Sequence, residues 1–94
     1  MFPIKRYATA HICKTVPPWL QSFMWRCIDQ LSIDADYLQV FELSEDHGMQ
    51  KIIHKQEIPE YSKEYLISCA KPLTAKIFVI NDDDYATMLF ANEY

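Results

Sequence analysis

The stretch Pro17–Leu31 (PPWLQSFMWRCIDQL) constrains the fold more than any other part of the chain. Its apolar residues fall at Leu20, Phe23, Met24, Cys27, Ile28 and Leu31, the i, i+3, i+4, i+7, i+8, i+11 series of one helix face. Gln21, Ser22, Arg26, Asp29 and Gln30 take the opposite side. A proline can open such a helix because its missing N–H would be unpaired there anyway, and Thr15 is the candidate N-cap. Each large side chain fully buried on this stripe contributes roughly 1.5–3 kcal/mol, so the stripe needs a partner surface, most naturally a sheet. Trp19 lies on one flank of the stripe, and Trp25 sits roughly 140° around the wheel from Leu20, beside polar positions. Two readings stand for these indoles. Both lap over the edge of the core, as indoles are seldom completely buried, or Trp25 is a partly exposed anchor for a partner.

The remaining segments supply the sheet. Residues 4–13 (IKRYATAHIC) alternate loosely and predict a first strand near 5–11, ended by Val16 and Pro17-Pro18. After a polar helix exit at 32–36, Asp36–Ser44 (DYLQVFELS) is the best strand in the chain. Glu45-Asp46-His47-Gly48 follows. Gly48, the only glycine, stands where a hairpin needs a positive φ, and a type I turn closed by a G1 bulge fits. Met49–Ile58 (MQKIIHKQEI) then runs back antiparallel. Its register, and so the direction of Ile53 and His54, stays open, because a slip of one residue exchanges the faces. Pro59 stops that strand, and Lys63–Ser68 is a further short one. Ala75–Ile80 (AKIFVI) is an apolar run too short for a helix and predicts a central strand covered on both faces. Tyr85, Met88 and Leu89 form an i, i+3, i+4 set, which predicts a short C-terminal helix over Tyr85–Tyr94, capped by Asp82 or Asp83. The expected class is α+β, a mainly antiparallel sheet of about five strands. A long helix in the N-terminal half and a short C-terminal helix pack on it.

Composition narrows the functional classes. The 94 residues make one domain, and 50% hydrophobic residues with a single glycine describe a globular chain. The net charge of −4 argues against nucleic acid and leaves open a basic partner, including a protein that itself binds DNA. Lys51 and Lys55 alternate onto one strand face and read as a solvated surface. The opening MFPIKRYATAHIC lacks the continuous apolar core of a signal peptide, and no apolar run reaches ~18 residues, so neither export nor a membrane span is expected. Cys13, Cys27 and Cys69 are an odd, widely spaced set that suits reduced thiols in a cytoplasmic chain, with Cys27 a small hydrophobe on the helix face.

No constellation in the chain carries chemistry better than it carries structure. Asp82-Asp83-Asp84 could hold magnesium, but a capped turn accounts for all three carboxylates. His11 and Cys13 share an expected strand face, with His47 or Cys69 as further candidate ligands, yet zinc sites are built from paired short spacings and only one such pair exists. A Cys–His hydrolase or transferase would need a base beside Cys13 or Cys69, with no local signature for one, and His54 reads as a packed or hydrogen-bonded side chain. One glycine cannot build a GxGxxG or P-loop. Catalytic, metal and cofactor residues are therefore expected to be none.

Four phrases, DYLQVFELS, QKIIHKQE, KIFVI and DYATMLFANEY, resemble a family of small proteins from Gram-positive bacteria and their phages. It is a domain-of-unknown-function family, number nine-sixty. The resemblance runs from Arg6-Tyr7 through the proline-rich helix start to the final tyrosine, and the family commonly has a glycine near where Asp83 stands. It implies a soluble cytoplasmic bacterial or phage-encoded protein and no reaction. The expected role is a non-enzymatic protein-interaction or regulatory module, with Trp25, Trp19 and Tyr61 as candidate partner contacts. The alternatives are a small Cys/His-dependent enzyme and an acidic decoy for a DNA-binding protein. The expected partner is a protein, with the chain a monomer or a homodimer paired through the strand near Lys63–Ser68.

Overall fold

The apolar stripe forms the helix its spacing predicts. In the computed structural model, which describes residues 2–94, the elements run β1 (Arg6–Ala8), α1 (Ala10–Thr15), α2 (Pro18–Asp29), β2 (Leu38–Asp46), β3 (Met49–Gln56), β4 (Tyr61–Ser68), β5 (Ala75–Asn81), β6 (Ala86–Phe90) and a closing 3₁₀ turn (Ala91–Glu93). Pro18 takes the first turn of α2, where its missing N–H costs nothing, and Pro17 holds the cap position with no side-chain bond. Thr15 is not that cap; it ends α1. The cap of α1 is Thr9, whose Oγ1 accepts from the Ile12 N–H at 3.2 Å. The strand expected over 5–11 is thereby cut to Arg6–Ala8, because Thr9 turns the chain into a helix that buries Ile12.

The sheet order is β1-β6-β5-β2-β3-β4. Neighbours pair antiparallel except β1 and β6, which are parallel. The fold is α+β, as expected, and the sheet is mainly antiparallel, but it is a mixed sheet of six strands where about five were expected. The missing strand is the segment read as a C-terminal helix. Ala86, Met88 and Phe90 alternate with Thr87 and Leu89, and this period of two, not the helical set, is what the core uses: the first three are buried and Tyr85 is exposed.

The β2–β3 hairpin closes through His47 and Gly48, with φ of +52° and +78°, and Asp46 pairs directly with Met49. Two residues of positive φ are the type I′ pattern, so the expected type I turn with a bulge is replaced by a tighter one whose twist matches the strands. Register follows. Phe41 opposes His54 and Glu42 opposes Ile53, so His54 points into the core while Lys51, Ile53 and Lys55 share the other face.

One core joins the helices to one face of the sheet. Ile12 and Val16, with Leu20, Met24, Cys27 and Ile28 of α2, pack on Phe41, Leu43, Ile52, Ile77, Val79, Ala86, Met88 and Phe90. All of those strand residues lie on a single face by alternation. The other face has no helix over it. β5 is central, as expected, but a helix covers it on one side only: Ile77 and Val79 are buried in the core, while on the other face Lys76 is exposed, Phe78 half-buried and Ile80 buried by its sheet neighbours. No helix among the described residues is long and apolar enough to cross a membrane.

Candidate functional site

The uncovered face of the sheet is the feature that needs a functional account. Register sets Leu89, Phe78, Val40 and Lys55 in one row across β6, β5, β2 and β3. Thr87, Ile80 and Leu38 make the next row, and Lys76, Glu42, Ile53 and Glu64 make the row on the other side. The result is a contiguous apolar centre of half-buried Leu38, Val40, Phe78 and Leu89, with Ile80 buried among its neighbours at 9% exposure. Charge borders it, with Lys55 3.1 Å from Glu42 and Lys51 3.7 Å from Glu64. Phe78 is flanked by the Tyr94 ring at 5.9 Å and the Lys76 ammonium at 6.0 Å. An antiparallel sheet with one open face ordinarily turns polar residues outward. The apolar patch on this face departs from that pattern.

A groove of ≈ 390 Å³ opens beside this patch, floored by Tyr37, Leu38 and Val40. Its walls carry the carboxylates of Asp36, Glu42, Glu57 and Glu60 against the ammonium groups of Lys55 and Lys76. Two of the carboxylates are already engaged. Asp36 accepts from the Tyr37 N–H at 2.8 Å and the Ile58 N–H at 3.1 Å, and Glu42 pairs with Lys55. Glu57 and Glu60 are exposed and have no ion-pair partner among the described residues, so they are the groove's available negative charge.

A buried polar string lies under the groove and holds its walls. Gln56 donates from Nε2 to the carbonyls of Asp34 (2.9 Å) and Pro59 (2.8 Å), and its Oε1 accepts from the Asp36 N–H (3.0 Å) and Gln39 Nε2 (2.6 Å). Gln39 Nε2 also donates to the Asp36 carbonyl at 2.9 Å. With the Gln39 nitrogen committed as donor, its Oε1 is the acceptor for His54 Nε2 at 2.6 Å, so the imidazole carries its proton on Nε2. His54 Nδ1 is then a buried lone pair with no partner. Phe41 stacks on the ring at 4.5 Å and Tyr61 meets it edge-on at 5.3 Å. Burial pushes the His54 pKa down to about 4. This is a neutral, enclosed histidine that shapes the groove from below and does not line it.

The residues singled out in the sequence fall at separate places. Trp25 is half-buried, with the Arg6 guanidinium 4.9 Å over its ring. Arg6 is held by a two-pronged bond to Asp29 at 2.9 and 2.6 Å and donates from Nε to the Pro3 carbonyl at 3.0 Å. That bond lowers the Asp29 pKa. Trp25 thus clamps the N-terminal segment onto α2. Trp19 is 42% exposed on the same helix. Tyr61 begins β4 on the helix side of the sheet, against His54. No aromatic pair among the described residues joins these three to one another.

The acidic run forms the β5–β6 turn and caps no helix. Asp82 N–H donates to the Tyr85 carbonyl at 2.8 Å, Asp83 N–H to Asn81 Oδ1 at 3.0 Å, and Asp83 takes a φ of +65°. Among the described residues no group of three or more His, Cys, Asp or Glu is placed to hold a metal ion. Cys13 is exposed, Cys69 half-buried, and Cys27 is buried beside Tyr65, where burial raises the thiol pKa. No hydrogen bond among the described residues joins a cysteine to a histidine. In the sequence the patch shows as apolar residues on both parities of β2, Leu38 and Val40 as well as Phe41 and Leu43, and of β5, Phe78 and Ile80 as well as Ile77 and Val79.

A family model described as a staphylococcal protein of unknown function (DUF960) matches residues 5–93. A crystal structure of a protein of unknown function from Enterococcus faecalis is similar at a TM-score of 0.78 and 25% identity, over 96% of this chain and 90% of that one. No curated protein matches the chain.

Proposed function

From the premise that the chain belongs to the DUF960 family, we propose a small, non-enzymatic protein-interaction module that takes its partner on the uncovered face of the sheet. The observation that carries this reading is the contiguous half-buried patch of Leu38, Val40, Phe78 and Leu89 around Ile80, beside a groove whose unpaired charges among the described residues are Glu57, Glu60 and Lys76, a net negative set. The chemistry it fits is a protein segment with apolar side chains for the patch and lysine or arginine for the groove. The net charge of −4 would speed the encounter with such a basic partner. A decoy for a DNA-binding protein is the special case in which the partner's basic surface is the one that otherwise meets phosphate.

The test begins with capture by the tagged chain at low and high salt and identification of what is held. The purified partner is then titrated against Val40→Glu, Phe78→Glu and a Glu57→Gln/Glu60→Gln double variant. The first two are expected to abolish binding. The double variant is expected to weaken it and to flatten its salt dependence. Binding that survives Val40→Glu and Phe78→Glu but is lost in Trp19→Ala, Trp25→Ala or Tyr61→Ala would move the site to the helix layer and end this reading. The Cys–His enzyme keeps its own test, labelling of Cys13 or Cys69 by a mild electrophile faster than a free thiol.

A further inference from the structure

The two edges of the sheet differ. The β1 edge is three residues long, next to a segment that Arg6 ties to α2. The β4 edge runs eight residues, ends the sheet, and exposes Leu66 at 47%. A long free edge offers unpaired N–H and C=O groups to any strand, and proteins usually defend it with charge. Here the charge sits in the first half of β4, at Lys63 and Glu64, while Tyr65-Leu66-Ile67 carry none.

We propose that the second half of β4 is a self-association surface, on which a second copy of this chain adds its own β4 antiparallel and joins the two sheets into one. The proposal stands independently of the partner reading above. A two-fold axis perpendicular to the sheet keeps each face on its own side, so a residue must oppose another of the same face. That leaves registers centred on single residues. Centring on Lys63 or Glu64 sets like charges opposite each other, and centring on Tyr65 sets Lys63 against Ile67 and Glu64 against Leu66. Centring on Leu66 sets Leu66 against its twin, Tyr65 against Ile67 twice, and Glu64 against Ser68 twice. Aromatic–β-branched pairs are favourable across strands, and no like charges oppose. Glu64-Tyr65-Leu66-Ile67-Ser68 reads polar, apolar, Leu, apolar, polar from either end, and this self-complementarity favours a second copy over a foreign strand. Glu64 keeps its partner Lys51 on the same face. The arrangement puts the helices of both copies on one side and both uncovered faces on the other.

Light scattering on the full chain is expected to give a mass twice 11.1 kDa at high concentration. Leu66→Lys, at an exposed position that leaves the circular dichroism spectrum unchanged, is expected to weaken the dimer at least ~30-fold by setting two lysines face to face. Cross-linking reads the register. In a Cys13→Ser/Cys69→Ser background, Leu66→Cys lies about 4.5–5.5 Å from its twin and should form a disulfide dimer under mild oxidant. Ser62→Cys on the same face lies roughly 27 Å from its twin and should not. A chain that stays monomeric at millimolar concentration overturns the proposal. So does a dimer unmoved by Leu66→Lys, or one that cross-links at Ser62→Cys and not at Leu66→Cys.

Discussion

The two faces of the sheet come from the same strands, yet residue polarity runs against expectation on both. The covered face buries Phe41, Ile77 and Met88, but toward β3 it also buries His54, Gln39 and Gln50 at 0% exposure and Gln56 at 5%. The uncovered face carries Leu38, Val40, Phe78 and Leu89, all half-buried, around Ile80 at 9% exposure. What separates the faces is what each side chain meets. The buried amides close on one another and on the backbone, so their polarity is satisfied without water. The outward apolar residues meet no helix. Hydrophobicity alone therefore does not mark the core here.

The contrast breaks most visibly on the covered side. Phe41→Ala removes a ring at 0% exposure that also stacks on His54, and is expected to cost about 3–5 kcal/mol in urea unfolding. Val40→Ala, one residue earlier on the other face, should cost far less.

Acid sharpens the contrast next. The folded pKa of His54, about 4, lies below the ordinary value of 6.5, so its contribution is complete above 6.5 and is lost as pH falls toward 4. The loss expected by pH 4 is about 3 kcal/mol, because the buried ring would have to take its charge away from water. Stability measured across this window should fall in the wild type and lose that component in His54→Gln.

Gln39→Leu leaves the His54 Nε2 proton and Gln56 Oε1 short of a partner and is expected to cost about 1–3 kcal/mol by thermal unfolding. Asp29→Asn weakens a half-exposed pair with Arg6 and should cost no more than about 1 kcal/mol, read by the same method. Val40→Glu should shift stability by about 0.5 kcal/mol or less while removing partner binding in titration, the reverse of the Phe41 result.

Wherever a local pattern had one solution, the sequence was a good guide. The helix over Pro18–Asp29, the β2–β3 hairpin around Gly48 and the central place of β5 were all legible, because capping chemistry, positive φ and uninterrupted periodicity act within a few residues. Where two periods fitted the same residues, it was not. Met88 belongs both to the helical set with Tyr85 and Leu89 and to the alternating set with Ala86 and Phe90, and a window this short supports either. For the candidate site, the charge and the surplus of aromatics are legible in the sequence, but the placing of Arg6 over the Trp25 ring is not.

By itself, the sequence determined an α+β chain with one amphipathic helix, one tight hairpin and no catalytic signature. Only the tertiary structure decided that the last segment is a strand, because β5 and β1 lie on either side of it. It alone decided the direction of His54, through a two-residue turn that set the register. It alone left one face of the sheet bare, because both helices pack on the other. These outcomes depend on contacts between residues far apart in the chain, whose free energies no local pattern contains.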